Sequence, residues 1–141
     1  MLPYPAPHLL TFAQLGEPTI GYISVSENVV PPLPFVVQRI FWTYHTPDNI
    51  LRGRHAHRAT EQVVLAVAGR ILVTVEHADG TLEVFRLESP HMGLYLPPNV
   101  WHTIQYSLGA VQLALASQPF SEEDYIRDYQ DFKNVWQAVS K

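Results

Sequence analysis

Arg52-Gly53-Arg54-His55-Ala56-His57-Arg58-Ala59-Thr60-Glu61-Gln62 is the densest polar stretch in the chain. In an extended strand, side chains two residues apart point to the same face. His55 and His57 are therefore expected to look into one space, the interior of a β-barrel. Imidazoles facing an apolar interior need hydrogen-bond partners or a function. Glu61 opens the run that follows and is placed to share that space.

The sequence around this stretch reads as β-structure. Short runs rich in Val, Ile, Phe and Tyr predict strands at Ile20–Val25, Phe35–Tyr44, Gln62–Val67, Arg70–Glu76, Thr81–Leu87, Gly93–Leu96, Val100–Ile104 and Val111–Ser117. Ala68-Gly69 and His77-Ala78-Asp79-Gly80 have the residues of hairpin turns. Twelve prolines rule out long helices through residue 100. Pro3, Pro5, Pro7 and Pro18 make residues 1–19 read as an irregular N-terminal arm. Ser121 followed by Glu122, Glu123 and Asp124 resembles a helix start. Tyr125, Tyr129, Phe132 and Trp136 then form one apolar stripe, so a helix over 121–138 is expected to cover an open end of the barrel. The expected architecture is all-β, one domain spanning residues 1–141, with a short C-terminal helix.

Composition narrows the function. Hydrophobic residues are 47% of the 141 and charged residues 16%, enough apolar material for a packed core. The net charge is −4 with no basic run, which weighs against a nucleic-acid partner. The absence of cysteine excludes disulfides, zinc-thiolate sites and cysteine nucleophiles. No stretch has the length and apolarity of a membrane span or the pattern of a signal peptide, so a soluble cytoplasmic protein is expected.

A second cluster runs Pro90-His91-Met92-Gly93-Leu94-Tyr95-Leu96-Pro97-Pro98-Asn99-Val100-Trp101-His102. With Gly53, His55, His57, Glu61 and Gly69 in the first motif and Pro90, Gly93 and His102 in the second, the chain approximates the two motifs of the cupin barrels. In metal-binding cupins the three histidines and the glutamate hold a divalent ion, and such a donor set suits iron, manganese, nickel or zinc. His55, His57, Glu61 and His102 are the ligands on that alternative.

More specifically, the chain resembles the sugar-nucleotide 3,4-ketoisomerases, small cupins that act on dTDP-4-keto-6-deoxyglucose. Pro34-Phe35 with Arg39, Arg52-Gly53-x-His55-Ala56-His57, Glu61-Gln62-Val63, Gly93-Leu94-Tyr95, Pro98, Trp101-His102, Leu115-Ala116-Ser117 and Asp124-Tyr125-Ile126-Arg127-Asp128-Tyr129 carry the resemblance. It implies a cupin, jelly-roll fold and a homodimer with N-terminal strands swapped between subunits. It implies no cofactor or metal, a dTDP-linked keto-sugar as substrate, and a 3-keto-6-deoxyhexose product for amino-sugar biosynthesis. Two departures stand out. Ile20-Gly21 replaces an Arg-Gly pair, and Phe41-Trp42 replaces two tyrosines, which removes one ligand contact and one phenol near the sugar. Tyr22 and Tyr44 are the candidates to replace them.

The implied reaction moves a proton from C3 to C4 through an enediolate. A neutral imidazole is suited to that shuttle. His57 is expected to be the shuttle, with His55 moving the oxygen-bound proton or polarising the carbonyl; the reverse assignment is also open. Arg39 and Arg52 are expected at the diphosphate. Tyr95 and Trp101 are candidates to pack on the thymine or sugar, and His102 and Glu61 to complete the substrate site. Tyr125 and Arg127 are expected to anchor the terminal helix. The alternatives are a metal-dependent cupin enzyme, a sugar-nucleotide epimerase using the same proton chemistry, and a sugar-nucleotide binder without catalysis.

Overall fold

The computed structural model describes residues 4–139 apart from 29 and 78, with the side chains of 136–139 excluded. Two five-stranded antiparallel sheets face each other. In chain order the strands are β1 (His8–Thr11), β2 (Ala13–Glu17), β3 (Gly21–Val25), β4 (Arg39–Thr43), β5 (Leu51–His57), β6 (Gln62–Ala68), β7 (Ile71–Glu76), β8 (Leu82–Leu87), β9 (Met92–Leu96), β10 (Trp101–Tyr106), β11 (Val111–Ala116) and β12 (Tyr125–Ile126), followed by helix α1 (Tyr129–Val139). One sheet has the order β1-β9-β6-β11-β4 and the other β12-β5-β10-β7-β8. Strands β2 and β3 form a separate hairpin. The all-β cupin barrel with a short C-terminal helix is the observed architecture, and each of the eight strand spans read from the sequence corresponds to a strand.

Alternation sorts the side chains into three cores. Val64, Ala66, Val73, Val75, Leu94, Leu96, Ile104 and Ala114 fill the space between the sheets. The intervening residues Val63, Leu65, Tyr95 and Leu115 lie on the outer face of the first sheet, under Leu10, Phe12, Leu33 and Phe35. Ala56 and Ile126 meet Phe132 of α1 in a third cluster. Strict inside–outside sorting of this kind fixes strand register, because a slip of one residue would invert every face.

Two expectations need correction. The N-terminal segment is not irregular over 1–19: its prolines flank a proline-free run, His8 to Glu17, that forms β1 and β2. Strand β1 pairs with β9, and Leu10 and Phe12 are buried by doing so. Met1 to Pro3 lie outside the described residues. The helix does not begin at Ser121. Residues Glu122–Asp124 make one 3-10 turn without a side-chain cap, and Tyr125 and Ile126 then pair with His57 and Ala56 of β5. The true helix start is marked by Asp128, whose Oδ1 accepts the Asp131 N–H at 3.0 Å. Tyr125 therefore does not belong to the helical stripe, Phe132 is its buried member, and the Trp136 side chain is outside the described residues. In the turn His77 to Gly80, Ala78 is likewise outside them, while Gly80 donates its N–H to the His77 carbonyl at 3.0 Å.

Candidate active site

The site is organised by a bulge in β5. Opposite it, His102 pairs with His55 and Ile104 with Arg52, so three residues of β5 span what two span on β10. Gly53 and Arg54 take positive φ values of 83° and 59° to accommodate the extra residue. A Cβ on Gly53 would stand 2.9 Å from the His102 carbonyl oxygen. Without the bulge, Arg52 and His55 would face opposite sides. With it, Arg52, His55 and His57 all turn inward. The turn leading to β10 is tied to the same strand, since Asn99 donates its N–H to the His57 carbonyl at 2.6 Å.

Three imidazoles gather there. The His55 ring lies 5.1 Å from His57 and 4.7 Å from His102 between centroids, edge-on to both. A cavity of about 230 Å³ opens onto His55, His102, Gln62, Arg52, Tyr125 and Arg127, with Phe41, Tyr106 and Gln112 also in its wall. His57 sits behind His55, 4% exposed.

Backbone carbonyls and one carboxylate set the tautomers. His55 Nδ1–H donates to the Gly53 carbonyl at 3.1 Å and His102 Nδ1–H to the Val100 carbonyl at 3.4 Å, which leaves a bare Nε2 on each ring. His57 Nδ1–H donates to Asp124 Oδ2 at 3.1 Å, and its Nε2 accepts from the Gln62 amide at 3.1 Å. Both His57 nitrogens are thus engaged. Asp124 also accepts the Ala59 N–H at 2.7 Å and the Thr60 hydroxyl.

Burial keeps all three rings neutral. It pushes His55 down to about 4, reinforced by His57 beside it. His102 is held well below the usual imidazole range by complete burial, with His55 and His57 adding to it. His57 is lowered by burial too, against the opposing pull of the Asp124 carboxylate.

The sequence-predicted residues divide into two groups. His55, His102 and Arg52 line the cavity, and His57 backs it. Arg39 does not line it; its guanidinium lies over the rings of Phe41 and Phe120 at 5.3 and 5.6 Å. Glu61, Tyr95 and Trp101 are elsewhere, and the reason is parity. Gln62 is the inward residue at the start of β6, so Glu61 turns to the outer face and accepts the Tyr95 hydroxyl at 2.7 Å. Tyr95 is buried in the outer core. Trp101 precedes the inward His102 and packs on Tyr129 and Phe132 instead. The set His55, His57, Glu61 and His102 is therefore not assembled, and among the described residues no cluster of three or more His, Asp or Glu side chains is spaced to hold a metal ion.

Four residues were missed as site members. Asp124 read as a helix-start acid, Gln62 as a strand residue, and Tyr125 with Arg127 as helix anchors. Tyr125 in fact packs on His55 and His57 at 5.0 and 4.5 Å, with the Arg127 guanidinium 4.3 Å above its ring. The sequence signals for them were the runs Glu61-Gln62-Val63 and Asp124-Tyr125-Ile126-Arg127, whose resemblance was specific but whose place in the fold was not visible.

A cupin barrel with neutral imidazoles at the wall of a small polar cavity defines a class of protein suited to proton transfer without a nucleophile. Comparisons narrow the class. The FdtA family, described as WxcM-like, C-terminal, matches residues 6–137. The TDP-4-oxo-6-deoxy-alpha-D-glucose-3,4-oxoisomerase of Aneurinibacillus thermoaerophilus is 32% identical over 126 residues, covering 89% of this chain and 88% of that protein. The sugar 3,4-ketoisomerase QdtA of Thermoanaerobacterium thermosaccharolyticum, solved in complex with TDP, superposes with a TM-score of 0.89 at 27% identity, covering 94% of this chain and 96% of that one. A 3,4-ketoisomerase from Helicobacter canadensis superposes with a TM-score of 0.87 at 30% identity, covering 93% and 97%. The chain belongs to the sugar-nucleotide 3,4-ketoisomerase family.

Proposed function

We propose that this protein converts a dTDP-linked 4-keto-6-deoxyhexose to its 3-keto isomer by moving one proton from C3 to C4. The observation that carries the reading is the inward imidazole of His55 at the wall of one cavity, with the His57 ring packed behind it, within a family whose relatives are named for this reaction.

Of the two open assignments for the proton shuttle, the geometry favours His55. Its Nδ1–H is spent on the Gly53 carbonyl, so the bare Nε2 is the acceptor available at the cavity wall. His57 has no free nitrogen and stands behind. His55 takes the C3 proton; the electrons of that C–H bond form the C3=C4 double bond, and O4 gains a proton. Loss of the O3 proton then forms the C3 carbonyl, and His55 returns its proton to C4. The developing charge on O4 needs a donor. Tyr125 is a phenol at the cavity wall packed edge-on against the shuttle itself, the other phenol there, Tyr106, donates to Gln112, and Phe41 lines the same wall without a hydroxyl. Arg52 is the guanidinium placed for the diphosphate, since Arg127 is already forked onto Glu122 at 2.5 and 3.1 Å.

A homodimer completes the molecule on this reading. Ile20 and Ile23 of the β2–β3 hairpin and Trp42 on the edge strand β4 are 79%, 66% and 61% exposed. Such residues on a hairpin and a sheet edge are what a second copy would cover.

The test is to incubate the protein with dTDP-4-keto-6-deoxyglucose and identify the product by NMR. A 3-keto product, formed equally with and without a chelator, is expected. A 3- or 5-epimer, or turnover that stops on chelation, would replace this reading with an alternative.

A further inference from the structure

Gln62 is a buried side chain with its two ends in different settings. It is 4% exposed, it lines the cavity, and its amide Nε2 lies 3.1 Å from His57 Nε2. A primary amide beside a ring nitrogen can sit either way round, and the proton on the ring decides which. Asp124 is acceptor-only when ionised, and the Thr60 hydroxyl and Ala59 N–H hold its pKa below the usual value despite partial burial. It therefore demands the proton on His57 Nδ1. His57 Nε2 is then an acceptor, and Gln62 must present its NH2 group to it. The carbonyl end, Oε1, is left with no hydrogen bond among the described residues, and it is not one of the enclosed unpartnered atoms either. The other amide of the cavity, Gln112, has its carbonyl occupied by the Tyr106 hydroxyl.

We propose that Gln62 Oε1 is the acceptor for a hydroxyl of the bound keto-sugar, and that Asp124, acting through the His57 tautomer, is the positioning residue that keeps that carbonyl turned to the cavity. The proposal rests on the reading of the cavity as a sugar-nucleotide site and assigns His57 a role that the proton shuttle does not need. A wrong tautomer would turn the amide round and set its NH2 group against a sugar hydroxyl or a cation. The relay thus gives a chemical reason for an aspartate 67 residues away in sequence to be fastened to a histidine that does not reach the cavity.

Long-range 1H–15N spectra of histidine-labelled protein, with the His57 signals assigned by their loss in His57→Asn, read the tautomer directly. The expected wild-type state has Nδ1 protonated and Nε2 bare. Asp124→Asn, whose amide can donate to Nδ1, is expected to move the proton to Nε2. Titration with dTDP and with dTDP-4-keto-6-deoxyglucose reads the carbonyl. Gln62→Leu is expected to bind the keto-sugar nucleotide about tenfold more weakly and dTDP within about twofold of wild type, the effect of one lost hydrogen bond. Asp124→Asn is expected to do the same. A wild-type His57 protonated at Nε2, or Gln62→Leu binding the keto-sugar as tightly as wild type, would overturn the assignment. Neither readout depends on turnover. Wild-type protein that binds as expected but makes no 3-keto product would overturn the isomerase reading and leave this assignment standing.

Discussion

At His55 the two ring nitrogens have unlike surroundings, and the pH behaviour of the protein follows from that. Nδ1 is tied to a backbone carbonyl, while burial and the neighbouring His57 push the ring down to about 4. A base that must be neutral stays neutral over the whole range above that value. The acid limb of kcat/KM is therefore expected well below pH 6.5, with a flat profile between pH 6 and 8; a limb at 6.5 or above would mean an unperturbed imidazole. Stability responds to the same groups. His55, His57 and His102 all have folded-state values lowered from 6.5, so below pH 6.5 the unfolded chain binds protons that the folded chain refuses. Thermal unfolding should show a constant melting temperature above pH 7 and a falling one from pH 6.5 towards 4. A melting temperature that held steady or rose on acidification would show the imidazoles to be solvated. The paired histidines were legible in the sequence because a two-residue spacing is all that shared orientation requires. The place of Asp124 was not, because its partner lies 67 residues away and the run that contains it does not say which strand it meets.

Among the elements, β5 carries the most information, and it shows where sequence alternation stops short. Strict alternation places Arg52 on the face opposite His55. The bulge at Gly53 and Arg54 reverses that by inserting one residue. In β6 and β10, Glu61 and Trp101 each precede an inward residue, Gln62 and His102, and so turn away from the cavity: strand existence was readable, but the inward phase depended on pairing with strands elsewhere in the chain. Gly53→Ala tests the bulge. The left-handed φ of 83° and the 2.9 Å approach of the new Cβ to the His102 carbonyl should cost about 1–3 kcal/mol and disturb the His55–His102 contact. Lower melting temperature with greatly reduced turnover is the expected pair of results. A Gly53→Ala protein as stable and active as wild type would mean the bulge is unnecessary. The C-terminal element gives the complementary lesson. Its apolar residues suggested one continuous helix, yet Tyr125 and Ile126 gain more by pairing with β5, where one meets the imidazoles and the other the core under α1.

On the scale of the whole molecule, the barrel has a filled interior and an outer apolar layer that the described chain covers incompletely. The cleft between the β2–β3 hairpin and the outer face of the first sheet is lined by Phe12, Tyr22, Val25, Leu65, Leu113 and Leu115. A second chain seated there would make the solution mass twice 16.0 kDa. Light scattering should show that mass for wild type, and Ile23→Asp combined with Trp42→Asp should shift it towards one chain; a monomeric wild type would contradict the dimer.

The central claim is that one neutral imidazole, His55, carries the proton from C3 to C4. The most direct measurement is deuterium uptake from D2O at C3 and C4 of dTDP-4-keto-6-deoxyglucose, followed by NMR for wild type and His55→Asn. The account predicts label entering with wild type, to the extent that the imidazolium proton exchanges with D2O before it is returned, and at least about a hundredfold slower with His55→Asn, the loss expected for a general base, with dTDP affinity within a few-fold. Label entering as fast with His55→Asn as with wild type would contradict it.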